Sequence, residues 1–322
     1  PDLIPDKKYF FFSHTIKEQP YNKELLQEIL KKRIQLIDYE CLTKSNGLRI
    51  IGFGRFAGIV GAYNAMRAYG ERMGAYELKP AHKCEDRAEL DRILEDLSIP
   101  SIKIVLTGEG RVGGGAKESM EALGVLQVSK EDYLQKDFDH AVYCQLGVMD
   151  YNKANDGTEH EEQHFFENPS EYTSAFEPYA RVSDIFIACH FWDPKAPRLF
   201  EKSAVTEESF KIEVIADISC DIDGSVPTTL TASTIDEPFY GFDRATGQET
   251  EPFLKSSVTI MAVDNLPCEL PRDSSEGYGN DLVKDVIPHL LGPDQDGVIQ
   301  RATIAKDGEL GENYQYLRDY VA

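Results

Sequence analysis

The run Ile102-Lys-Ile-Val-Leu-Thr-Gly-Glu-Gly-Arg-Val-Gly-Gly-Gly-Ala116 constrains this chain more than any other. A short apolar strand pattern feeds directly into Gly108-x-Gly110-x-x-Gly113, and a helix-like segment ending at Leu123 follows. Each glycine answers a separate need. The first turns the chain sharply, the second lets backbone N–H groups approach a pyrophosphate, and the third lets helix and strand pack closely. A lone motif of this kind is weak evidence, but the strand before it and the helix after it supply the context that a dinucleotide-binding turn requires.

Such a turn predicts an acidic residue roughly 20 positions on, at the end of the next strand, to hold the adenosine ribose hydroxyls. The next strand pattern is Val125-Leu-Gln-Val128, and Ser129-Lys130-Glu131-Asp132 follows it. A hydroxyl and a cation stand where a carboxylate would favour NAD. Ser129 and Lys130 therefore lean the reading towards NADP, with NAD kept open through Glu131 if the strand ends later.

The chain has 322 residues, long enough for two domains. Its 34 basic and 56 acidic side chains give a net charge of −22. A field of that sign repels polyanions, which argues against nucleic acid and anionic membrane as partners. A small acidic substrate remains compatible if Lys and Arg are gathered locally. The six cysteines are scattered without a Cys-x-x-Cys pair, so they read as small buried hydrophobes in a reducing compartment. No apolar run approaches the ~18 residues of a membrane span, and no signal peptide opens the chain. A cytoplasmic protein is expected.

Tyr9–Ser13 reads as a buried strand, Lys23–Lys32 as a helix and Ile34–Tyr39 as a second strand, together a β-α-β unit. Leu48–Phe53 reads as another strand, and Ala57–Met73 as a long helix suited to bridging two domains. Beyond the glycine turn, Ile185–Cys189, Ile212–Ile218 and Val258–Val263 are further strand candidates, which implies a doubly wound parallel sheet. Asp150–Glu177 is polar and turn-rich and reads as surface loop with at most short helices.

His14 follows the first strand, at the carboxyl edge where open α/β sheets bind ligands. An imidazole can take and give a proton at neutral pH, and Lys17 nearby offers a cation to an acidic substrate. A loop histidine is the plainer reading. Arg49, after a Ser-Asn-Gly turn, reads as either a carboxylate fork or a surface cation. Asp217, Asp221 and Asp264 sit at strand ends on the carboxyl edge where cofactor and substrate would meet, and plain turn residues, common at such ends, are the alternative. His160-Glu-Glu-Gln-His164 matches a zinc-peptidase pattern literally. It lies in a polar, loop-like stretch without an apolar face, so a zinc hydrolase is set aside and no metal is expected.

Several blocks in order resemble the lysine-forming saccharopine dehydrogenases and the lysine-ketoglutarate reductase domains of the bifunctional aminoadipic semialdehyde synthases, relatives of alanine dehydrogenase and the transhydrogenases. They are Phe11–Gln19, Leu36–Glu40, Phe53–Gly58, the glycine turn, Ala216–Asp221 with Gly224-Ser225, and Val263–Pro271. The resemblance implies two Rossmann-like, doubly wound α/β domains with a cleft between them. The first would comprise residues 1–53 and 271–322, and the dinucleotide-binding one residues 54–270. It implies reductive amination, in which lysine and 2-oxoglutarate are joined through an imine that a nicotinamide cofactor reduces to saccharopine, or the reverse. A cofactor-binding but inactive homologue is the alternative.

Position by position, the resemblance implies His14 as acid/base, Lys17 and Gln19 as substrate-binding, Glu40 as a carboxylate near the centre, Arg49 as a substrate-carboxylate ligand and Phe53 as a cleft wall. Arg111 and Val112 match the pyrophosphate turn, and Ser219, Asp264 and Leu266 match positions on the nicotinamide side. The family's other acid/base, a lysine, and an N-terminal substrate-binding arginine would fall before Pro1. The expectation is an N-terminally incomplete first domain.

Overall fold

A computed structural model describes residues 2–322. Contacts gather the chain into two units, one running up to Gly52 and resuming at Ser275–Ala322, the other Phe53–Ser274. In chain order the first unit opens with β1 (Lys8–Phe11), α1 (Lys23–Lys31) and β2 (Gln35–Asp38). The second contains α2 (Gly54–Met73), α3 (Arg87–Glu95), β3 (Lys103–Thr107), α4 (Arg111–Ala122), β4 (Leu126–Gln127), α5 (Lys130–Gln135) and β5 (Val142–Leu146). It continues through β6 (Asn152–Ala154), α6 (Glu162–Glu167), β7 (Tyr172–Ser174), α7 (Glu177–Ala180), β8 (Ile185–Ala188), β9 (Val214–Asp217), β10 (Phe239–Asp243), β11 (Glu249–Thr250) and β12 (Ser257–Met261). After α8 (Pro271–Asp285) the chain closes the first unit with β13 (Thr303–Lys306) and β14 (Glu309–Leu310).

The sheet of the first unit runs β1-β2-β13-β14, with β1 and β2 parallel and β13 antiparallel to β2. Leu26 and Ile29 of α1 are fully buried and pack with Ile34, Leu36 and Ile304. The β-α-β reading of this stretch stands, with one correction. β1 is an edge strand whose residues are exposed or half-buried rather than buried. The strand expected at Leu48–Phe53 is absent. Gly47, at φ +81°, turns the chain, Thr43 and Arg49 form an isolated bridge, and Ile50 and Ile51 are both buried. The segment bonds back onto Leu42 and Lys44 across that turn instead of joining the sheet.

The sheet of the second unit has eight strands in the order β11-β10-β12-β9-β8-β3-β5-β4. From β12 to β4 every neighbouring pair is parallel, while the β10-β11 hairpin joins antiparallel. Side chains alternate between two apolar clusters: Ile104, Leu106, Ile185 and Ile187 enter one, Val105, Phe186 and Ala188 the other. Both faces are covered, which is why these strands read as unbroken apolar runs. β3, β8, β9 and β12 appear where the sequence placed them.

The long helix α2 lies wholly within this unit. It is buried over most of its length because it packs against both the sheet and α4. A Cβ at Gly58 would stand 1.9 Å from the Val112 carbonyl oxygen, and one at Gly115 would stand 1.9 Å from that of Arg55. The two helices therefore meet backbone to backbone. The stretch expected to be surface loop instead pairs β6 with β7 and buries Tyr151, Phe165, Tyr172 and Phe176. Of the cysteines, Cys144 and Cys189 are buried, but Cys268 is exposed. Among the described residues no helix is long and apolar enough to cross a membrane.

Candidate functional site

Because β1 and β2 are parallel and adjacent, the chain leaves both at the same edge, and this brings the residues after each together. Asp38, at the end of β2, is fully buried and organises the junction. Its carboxylate accepts the Ser13 N–H at 2.9 Å and the Glu40 N–H at 2.7 Å, and it also accepts the Ser13 hydroxyl. Ser13 and Glu40 are thereby fixed on either side of one carboxylate. His14 follows with φ +52°, a left-handed conformation uncommon for a side-chain-bearing residue.

Glu40 is the centre of the resulting cluster. Its Oε1 accepts from Arg49 Nη2 at 3.0 Å and lies 3.5 Å from Lys17 Nζ. Its Oε2 lies 2.9 Å from His14 Nδ1 without hydrogen-bond alignment. Lys17 Nζ is also 3.1 Å from that nitrogen, and Arg49 Nε donates to the Glu40 carbonyl at 3.0 Å. Burial pushes the Glu40 carboxyl up, but the Arg49 hydrogen bond and the charges of Lys17 and His14 outweigh it and hold the group below the usual carboxylate range. Two cations and an imidazole thus surround the Glu40 carboxylate, in a chain of net charge −22.

The structure therefore brings His14, Lys17, Glu40 and Arg49 together. Gln19 lies outside this set of contacts: its side chain accepts from the Tyr21 hydroxyl and its carbonyl from Tyr320 at 2.6 Å. Phe53 falls in the second unit, as the residue preceding α2.

In the second unit, β3 ends at Thr107 and the chain turns at Gly108, with φ +88°. A Cβ there would meet the Cys189 carbonyl oxygen at 2.7 Å, so only glycine fits. Gly113 packs under the same turn, where a Cβ would lie 2.1 Å from the Gly108 carbonyl oxygen. Gly110 caps α4 with nothing within 4 Å of its would-be Cβ. Arg111 and Val112 open the helix, and Gly110 at its N-cap brings no capping side chain. An open turn at a helix N-terminus, reached through glycine, fits the pyrophosphate of a nicotinamide dinucleotide.

The other strand ends at this edge carry the remaining expected residues. The Ser219 hydroxyl donates to Asp217 Oδ1 at 2.6 Å, and Thr229 donates to Oδ2 at 2.6 Å. Burial pushes the Asp217 carboxyl up to about 6, against these hydrogen bonds. Asp264 is exposed after β12, whereas the Leu266 side chain is buried in the core that α2 covers. Ser129 and Lys130 open α5. The Ser129 hydroxyl accepts from Asp132 N as the cap of α5, and Lys130 Nζ is paired with Asp150 Oδ1 at 2.6 Å.

Sequence reasoning missed Asp38, Asp150 and His190. The last is buried after β8, with Nδ1 2.7 Å from the Thr107 hydroxyl and Nε2 2.8 Å from that of Ser225. Burial pushes its imidazole down to about 4. Asp38 carried a legible signal, an acid at a strand end two residues before a free backbone N–H. The zinc reading fails on geometry. α6 begins at Glu162, so His160 precedes it, and the rings of His160 and His164 stack with centroids 4.0 Å apart instead of converging. No group of three or more potential ligands gathers among the described residues.

No family model matches the chain. A solved structure of L-alanine dehydrogenase superposes with a TM-score of 0.60 at 16% identity, covering 99% of this chain and 77% of that one. The fold is thus the two-unit, Rossmann-type α/β fold of alanine dehydrogenase. In sequence the chain is 28% identical to the mitochondrial alpha-aminoadipic semialdehyde synthase of Bos taurus, over 98% of this chain and 39% of that protein. It is 27% identical to the alpha-aminoadipic semialdehyde synthase of Arabidopsis thaliana, over 98% and 34%. With the NAD(+), L-lysine-forming saccharopine dehydrogenase of Neurospora crassa it shares 24% identity over 87% and 67%. The chain spans about two fifths of the length of the bovine synthase. It is a homologue of the alpha-aminoadipic semialdehyde synthases and the saccharopine dehydrogenases.

Proposed function

We propose that this chain is a nicotinamide-dependent oxidoreductase that forms or cleaves saccharopine, interconverting it with lysine and 2-oxoglutarate. The observation that carries the reading is the His14–Lys17–Glu40–Arg49 cluster at the carboxyl ends of two parallel strands, in a homologue of saccharopine-metabolising enzymes. The first unit supplies substrate binding and proton transfer, and Phe53–Ser274 holds the cofactor. In the forming direction the lysine side-chain amine adds to the ketone carbon, water leaves, and the imine carbon accepts hydride. The bound cofactor supplies or removes that hydride.

His14 Nδ1 lies 3.1 Å from Lys17 Nζ, an ammonium that can only donate, which leaves Nε2 to exchange protons with the amine and the carbinolamine oxygen. Glu40, held ionised by its cationic neighbours, anchors Arg49 and Lys17 beside the ring. Lys17 and Arg49 offset the molecule's negative field for carboxylate substrates. Gly108–Gly113 with Arg111 and Val112 hold the pyrophosphate, while Ser219, Asp264 and the backbone at Leu266 serve the nicotinamide end. Gln19 completes the substrate contacts of the first unit.

Steady-state kinetics on the full-length protein with lysine, 2-oxoglutarate and reduced cofactor test this. His14→Gln should lower kcat at least about 100-fold, in line with the loss of a general acid–base. Arg49→Lys, which keeps the charge but loses the two-point grip on Glu40, should raise KM for the keto acid. Wild-type rates in both His14→Gln and Arg49→Ala would remove the cluster from the mechanism.

A further inference from the structure

In a parallel sheet of this kind the adenosine ribose is read at the carboxyl end of the strand lying beside the glycine-turn strand. In the usual order that is also the next strand in sequence. Here it is not. β3 pairs with β5, and β4 lies beyond β5 at the sheet edge. The place of the ribose-reading residue therefore passes from the segment after β4 to the segment after β5, Gly147–Asp150.

Local bonds tie that segment to the turn. Gly108 N donates to the Leu146 carbonyl at 2.8 Å, and Gln145 Nε2 donates to the Gly108 carbonyl at 2.9 Å. Asp150 folds back over the start of the segment, accepting the Gly147 N–H at 2.7 Å and Lys130 Nζ at 2.6 Å. Glu109, the variable residue between the first two glycines, places Oε2 2.5 Å from where a Cβ at Gly147 would stand. Two carboxylates and one ammonium thus border the position, a local charge of −1.

We propose that Asp150 reads the adenosine ribose and that this chain selects NAD(H) over NADP(H), with Glu109 as the second charge against a 2′-phosphate. A carboxylate offers about four acceptor positions, so Asp150 can accept ribose hydroxyls while keeping Gly147 and Lys130. A 2′-phosphate brings further negative charge to a position already negative, and Lys130 is committed to Asp150. This reverses the lean to NADP drawn from Ser129 and Lys130, which assumed that β4 lies next to β3.

The proposal rests on the reading that the second unit binds a nicotinamide dinucleotide, and titration calorimetry of the full-length protein with NADH and NADPH separates the two. NADH should bind at least about tenfold more tightly, the worth of one charge-assisted hydrogen bond. Asp150→Asn should shrink that ratio by weakening NADH, and Glu109→Gln should shrink it by strengthening NADPH. Should Asp150→Asn fail to fold, the exposed Glu109 position carries the variant test. Equal or tighter NADPH binding in the wild type, or an unmoved ratio in the variants, overturns the specificity assignment alone. Binding of neither dinucleotide to a protein shown by circular dichroism to be folded overturns the nucleotide reading beneath it.

Discussion

Asp217 shows how a residue at the end of a central strand acquires its own pH dependence. Its side chain is buried, and burial penalises the ionised form more than the Ser219 and Thr229 hydroxyls favour it, so its pKa rises to about 6. The folded pKa lies above the unfolded one. The stability from this group is therefore fully present below about pH 4 and lost as pH rises through about 6. The shift corresponds to about 3 kcal/mol across that window. In Asp217→Asn the difference in unfolding free energy between pH 4.5 and pH 7.5 should shrink by about 2 kcal/mol, measured by urea denaturation. An unchanged difference would show that Asp217 is ionised at little cost. Sequence inspection placed Asp217 at a strand end on the ligand-binding edge, as a site or a plain turn residue, and did not read it as buried, because its burial is set by elements far along the chain. His190 escaped notice for the same reason: its partners are Thr107 and Ser225, and no local pattern announces either. His14 and Lys17 were legible because a strand end followed by a histidine is a local feature.

At the scale of elements, the glycine turn is only as well placed as α4, and α4 is placed by α2. Their contact depends on Gly58 and Gly115, where any Cβ would lie 1.9 Å from a carbonyl oxygen of the other helix. Gly58→Ala must push the helices apart. Overpacking of a close-packed contact costs about 1–3 kcal/mol, occasionally more, and the helix N–H groups at the turn move with it. Thermal melts should show that loss, and dinucleotide affinity should fall although Gly58 is remote from the ligand in sequence. A melting temperature and affinity equal to wild type would mean that the helices do not meet at Gly58. The buried parallel strands and the turn itself were readable because each is a short local pattern. The β10-β11 and β13-β14 hairpins were not read, although left-handed Gly247 and the Asp307-Gly308 pair mark their turns. The failed strand at Leu48–Phe53 shows the opposite error. Its apolar content serves packing at both Ile50 and Ile51, and its pairing is a local bridge to the segment before it. The order of β4 and β5 lies beyond any local pattern, since it depends on which of two short strands wins the place beside β3.

For the whole molecule, the division into Phe53–Ser274 and the first unit, built from both ends of the sequence, gives each proposed ligand its own address. A ligand that binds only the native state stabilises it by mass action, by about 2.7 kcal/mol at 100 times its Kd. That corresponds to slowing, by about 100-fold, exchange of those amides that open with the liganded unit. Hydrogen exchange read by mass spectrometry should therefore show that the preferred dinucleotide protects peptides of Phe53–Ser274, most of all β3 through α4 and the end of β5. The carboxylate substrate alone should protect peptides around His14 and Glu40. Dinucleotide protection concentrated in β1, β2 and β13 instead would mean that the glycine turn is a structural junction and that the cofactor was assigned to the wrong unit.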